Sequence, residues 1–199
     1  MNAIDEFWRV FKLNEHELAE VSSAESHVYQ RILESLQQIH PKLFFEFHAE
    51  PGASEIIITA DGDRKLFPLV ETIVGGAPRI DGWTVFALKP RLGMPARVAW
   101  EGTRVSIADV VFEPLVSETS PQVAIRMFVP GISSDEVDDA HNALLRALDH
   151  ALGERTFAEE VAFTEVFPLA ENADTSRYLP LSEVIAYADG RKNRRSESD

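Results

Sequence analysis

The sequence contains no cysteine, which removes disulfide frameworks, thiolate metal sites and thiol redox chemistry together. A chain without thiols is indifferent to redox, so reducing and oxidising compartments both stay open. No stretch approaches the roughly 20 apolar residues that span a bilayer. The leading MNAIDEFWRV carries Asp5 and Glu6 and lacks the apolar core of a secretory signal. A cytoplasmic protein with no membrane association is the expectation. Basic charge is scarce as well: 19 Lys and Arg stand against 33 Asp and Glu, a net charge of -14. That charge repels phosphate backbones and argues against a nucleic-acid partner. There is no Walker A loop, no G-x-G-x-x-G and no G-x-S-x-G. His16, His27, His40, His48, His141 and His150 never fall into H-x-x-x-H or H-E-x-x-H. No metal and no cofactor is called for.

What is present is the composition of a globular chain: 199 residues, 45% hydrophobic and 26% charged. A fold of this size buries roughly 70% of its unfolded surface without a metal or disulfide. One α+β domain over 1–188 and a disordered polar tail over 189–199 are expected, since RKNRRSESD has no apolar residue.

Ile4, Phe7, Trp8 and Phe11 form the stripe of a short helix over 3–12. Ser22 and Glu25 have capping-box spacing before a second helix carrying Val28, Ile32, Leu36 and Ile39. The period then changes to two: LFFEFH and EIIITA read as a hairpin around residues 50–54. Asp61-Gly62-Asp63 caps a helix with Leu66, Leu69, Val70, Ile73 and Val74 inward and Pro68 in its first turn. Next, GWTVFALKP, apolar on both faces, reads as a central strand. Weaker strands at 96–101 and 108–116 are interrupted by Glu101-Gly102-Thr103 and Pro114. QVAIRMFVP follows as a clear strand, and Ser133 and Glu136 repeat the capping-box spacing. The longest helix then carries Val137, Ala140, Leu144, Leu148 and Leu152, and stops at Gly153. A strand over 160–168 and a short helix between Pro180 and Gly190 complete the order. This predicts a mixed, largely antiparallel sheet with helices mainly on one face, in two strand-strand-helix-strand halves.

Two groups of side chains are candidates for binding. Glu46, His48, Arg126 and Glu165 are polar residues inside strands, and Glu165 shares its parity with Phe163 and Phe167. Converging in a cleft they would hold a polar ligand; on a wet sheet face they would be cross-strand ion pairs, the plainer reading. The second group lies in residues 64–104, where seven basic and three acidic residues give net +4 against -18 for the remainder. There Lys89, Arg91, Arg97 and Arg104 interleave with Trp100, a composition suited to an anionic or aromatic partner or to neutralising nearby acids. Asp138 and His141 on the long helix could reach one ion, but ordinary surface electrostatics accounts for them.

The stretch IIITADGDRKLFPLVETIVGGAPRIDGWTVFALKPR resembles a family of uncharacterised bacterial proteins of similar size with no established function. FWRVF, FVPG before an acidic helix, ALGE and LPLSEV extend the likeness along the chain. Ala60, Phe67, Pro68, Gly82, Trp83, Lys89 and Arg91 match the family's pattern of a strand ending in alanine, a helix carrying F-P and a G-W strand ending in basic residues. The resemblance implies one compact α+β protein and imports no activity. The expectation is a non-enzymatic acidic binding or regulatory protein with a protein partner. The competing expectation is a small-ligand binder or enzyme, and a homo-oligomer stays open.

Overall fold

The structure, a computed structural model, describes residues 2–21, 23, 25–50 and 52–196. It has the expected α+β composition, with mostly antiparallel strands, but its strands form three sheets instead of one. The chain divides into two compact units, Met1–Pro90 and Arg91–Asp199.

The first unit opens with α1 (Ala3–Leu18), longer than expected, whose start is fixed by reciprocal capping between Asn2 and Asp5. Its buried Phe7, Trp8, Phe11 and Leu18 face the unit's core. α2 (His27–Gln37) is capped by Ser26, whose hydroxyl accepts from the Tyr29 N–H. Ser22, the expected cap, lies outside the described residues. β1 (Phe44–His48) and β2 (Ser54–Thr59) form the expected antiparallel hairpin, and Pro51 of its connection is likewise not described. α3 (Phe67–Gly75) carries Pro68 in its first turn and returns the chain to β3 (Trp83–Ala87), which runs parallel to β2.

The sheet order is β1-β2-β3, so β3 is an edge and not the central strand that its two apolar faces suggested. Its apolar side chains are used against a helix: Trp83 packs edge-on to Phe11 at 5.1 Å and donates its N–H to Glu15 of α1 at 2.8 Å. The central position belongs to β2, where Ile56 and Ile58 are fully buried.

The second unit begins with a hairpin of β4 (Arg97–Trp100) and β5 (Thr103–Ser106), a separate two-stranded sheet. Glu101 and Gly102 both have positive φ, 46° and 97°, the two-residue turn whose twist suits a hairpin. What read as an interruption is therefore the connection itself. β6 (Val111–Val116), β7 (Val123–Pro130), β8 (Val161–Leu169) and the short β9 (Leu179–Pro180) form a sheet of order β8-β7-β6-β9. β6 and β7 are antiparallel, and β8 is parallel to β7.

Between β7 and β8 runs α4 (Val137–Glu160), bent at Gly153, whose φ of 70° and ψ of 154° are not helical. The first segment thus ends where the glycine predicted, and a second continues to Glu160. Ala140, Leu144, Ala147, Leu148 and Leu152 cover Ile125, Met127 and Val129, giving the unit one continuous core. The final helix α5 (Val184–Ser196) passes through Gly190 and takes in most of the expected disordered tail. Arg and Lys are good helix formers, and the segment is tied down by Arg191, which donates to the Pro121 carbonyl.

Each unit therefore contains one strand-strand-helix-strand motif with the same pairing, β1-β2-α3-β3 and β6-β7-α4-β8. A parallel neighbour requires a crossover of at least about a dozen residues, usually a helix. In both motifs the central strand leads into a turn at a positive-φ glycine, Gly62 or Gly131.

Two consequences are measurable. The buried Trp8 donates its indole N–H at 2.8 Å to the Ile73 carbonyl near the end of α3. Trp8→Phe should destabilise the protein by about 1–3 kcal/mol in urea unfolding; an unchanged midpoint would show the bond to be idle. Ahead of α4, the Ser133 hydroxyl and N–H both donate to Glu136, at 2.6 and 2.9 Å. These bonds lower the Glu136 pKa. A carboxyl lowered by folding stabilises the native state above its unfolded pKa, and that gain is lost as pH falls through the folded value. Ser133→Ala should lower the thermal midpoint at neutral pH, and the difference from the parent should close below about pH 4. A difference independent of pH would contradict the assignment.

Candidate functional site

The face of the second unit's sheet turned away from α4 gathers the chemistry. Alternation sends Phe112, Ile125, Met127 and Val166 into the core, and leaves Glu113, Arg126, Phe128, Glu165 and Phe167 on the opposite side. Register aligns them in two rows: Glu113, Arg126 and Glu165 lie side by side across β6, β7 and β8, as do Val111, Phe128 and Phe167.

In the polar row the Arg126 Nε donates to Glu165 Oε2 at 3.0 Å, and Nη1 lies 3.6 Å from Glu113 Oε2. Its guanidinium also stands 5.5 Å from the centre of the Phe167 ring. One arginine thus holds two carboxylates that would otherwise repel each other. In the aromatic row Phe128 stacks on Tyr178 at 4.5 Å and meets Phe167 at 6.0 Å. The Arg177 guanidinium lies 4.9 Å from the Tyr178 ring centre and donates to its hydroxyl, a bond that raises the Arg177 pKa.

β8 is the edge of this sheet, with β7 as its single neighbour. A register shift between Val123 and Ile125 inserts an extra residue into β8, and bulges of this kind re-aim side chains at sheet edges. Phe163, just beyond it, is 54% exposed and Phe167 is 41% exposed. On the inner side Thr164 meets His141 of α4, Oγ1 to Nε2 at 2.6 Å. That places His141 against the sheet, away from a role as an ion ligand beside Asp138. Among the described residues no group of three or more His, Asp or Glu is arranged to hold a metal.

The remaining candidates are distributed elsewhere. Glu46 is on the first unit's sheet, paired with Lys89 at 3.3 Å, and Lys89 also reaches Asp61 at 3.6 Å. Burial, and then the Glu46 charge, push the Tyr29 phenol above its ordinary pKa. His48 pairs with Glu50 at 3.1 Å. Glu46 and His48 therefore belong to the first unit, and Arg126 and Glu165 to the second.

Of the five basic and aromatic candidates of residues 89–104, Lys89 belongs to the first unit, and the four of the second unit do not form one surface. Arg91 binds both carboxylate oxygens of Asp189 at 2.9 Å, donates to the Leu152 carbonyl at the α4 bend, and donates to Thr156. It is a clamp between α4 and α5. Trp100 turns toward α4, with the Arg146 guanidinium 4.7 Å from its ring centre. Arg97 and Arg104 remain, exposed on the outer face of the β4–β5 hairpin.

Sequence reasoning missed Phe128 and Tyr178. Phe128 was accessible to it, since it shares strand parity with Arg126. Tyr178 was not, because it arrives from a loop with no period.

No protein-family model, no curated protein and no solved structure matches this chain.

The Arg126 row sets a stability test. With both partners about a third exposed, the Arg126–Glu165 pair should show a coupling of at most about 1 kcal/mol in a double-mutant cycle of Arg126→Ala and Glu165→Ala. Coupling well above that would contradict the description of a solvent-screened surface pair.

Proposed function

We propose that this chain is a binding or regulatory protein whose ligand is another protein, not an enzyme, and that it docks through the outer face and open edge of β8. The observation that carries the reading is the exposure of Phe163 and Phe167 on an edge strand. An unpaired edge offers a row of N–H and C=O groups, and folded proteins ordinarily protect such edges or use them. Exposed aromatics beside a polar row have the make-up of an interface core with its rim.

Arg126 supports the same reading over a small anionic ligand. Its donors already face Glu165 and Glu113, so an incoming anion would have to displace a carboxylate. A protein partner needs only the aromatic surface and the strand edge. The net charge of -14 adds electrostatic steering toward a basic partner, felt mainly in the association rate.

The test is a partner captured by cross-linking in the source cells and then titrated against purified protein. Phe163→Ser should weaken binding by about tenfold or more while leaving the thermal midpoint nearly unchanged. Equal affinity for parent and variant would refute docking on this face.

A further inference from the structure

The outward face of the β4–β5 hairpin carries a second, separate surface. Its inner residues are fastened down: Val105 is 3% exposed, Thr103 is 7% exposed, and Trp100 packs under Arg146. The register pairs Arg97 with Ser106 and Ala99 with Arg104, so these four side chains share the outward side. Arg97 and Arg104, with Val98, Ala99, Val105 and Ser106, line an open depression on the hairpin.

Both arginines are exposed, and among the described residues neither side chain makes a hydrogen bond or an ion pair. Lys89, Arg91, Arg126 and Arg155 all have carboxylate partners. Arg97 and Arg104 stand diagonally and not directly opposite each other, so the hairpin carries both on one side and an anion can lie along them.

We propose that this face is a docking strip for an extended acidic segment of a partner protein, with carboxylates two residues apart seated on Arg97 and Arg104. Charge complementarity selects an acidic segment, and spacing selects an extended one. Arg97 and Arg104 are diagonal neighbours across the ladder, about 7–8 Å apart. Side chains at i and i+2 of an extended peptide are about 6.6 Å apart on one side, within reach of two flexible arginines. Each guanidinium presents a fork that fits a carboxylate bidentately. A nucleic acid is disfavoured by the protein's overall charge, which acts on a long polyanion at every phosphate. The strip is independent of Phe163 and Phe167, so each proposal can fail without the other.

The experiment uses the full chain and a fluorescent peptide of alternating Glu and Ala, titrated by anisotropy at low salt. The alternating peptide should bind, its Gln counterpart should not, and a peptide with the same number of glutamates placed at every third position should bind more weakly. Arg97→Gln with Arg104→Gln should reduce affinity by about tenfold or more with an unchanged thermal midpoint. The proposal is overturned if the variant binds as the parent does, if the Gln peptide or the peptide with glutamates at every third position binds equally, or if no peptide binds. Tighter binding of a short single-stranded oligonucleotide would also overturn it, in favour of a nucleic-acid site.

Discussion

A strand that lies parallel to the second strand of a hairpin can be reached only by a crossover, and one crossover helix covers one face of the sheet. Both units of this protein are built on that constraint. In the second unit α4 lays Leu144, Leu148 and Leu152 over Ile125, Met127 and Val129. Among the described residues the motif has no second helix for the other face, and no strand pairs with the outer edge of β8. What those two places expose is decided by side chains alone.

On the open face the side chains meet the requirement unevenly. Arg126 bridges Glu113 and Glu165 across three strands, which offsets part of the negative charge in the middle of the face. The aromatics Phe128, Tyr178 and Phe167 shield one another from one side. Phe163 and Phe167 stay substantially in water, and the bulge in β8 that turns Phe163 outward places it at the unpaired edge. Burying such side chains is worth roughly 1.5–3 kcal/mol each. Docking on this face, as proposed above, would cover them.

The helical framework was legible in the sequence because apolar spacing reports burial directly. The stripes of α1 and α4 and the stop at Gly153 all appear where the pattern puts them, and so does the β1–β2 hairpin. Strand order was less legible. GWTVFALKP is apolar on both faces, yet burial on both faces does not demand two strand neighbours when α1 supplies Phe11 and Glu15 to Trp83. The number of sheets was hidden in a turn, since Glu101 requires a left-handed conformation that glutamate rarely adopts. The candidate site was half legible. Strand parity united Glu165 with Phe163 and Phe167, while the pairing that brings Arg126 beside Glu165 is a long-range register that no local pattern encodes. Of the cationic group, spacing could not tell the clamp Arg91 or the inward Trp100 from the outward Arg97 and Arg104.

The openness of β8 is tested most directly by native-state hydrogen exchange on the isolated protein, read residue by residue from Ala162 to Phe167. In an uncovered edge strand, amides directed at β7 are protected and those directed outward exchange as readily as exposed loop amides, so protection should alternate along the strand. Uniform protection along β8 would mean that the edge is already covered in the free protein, and would contradict the account.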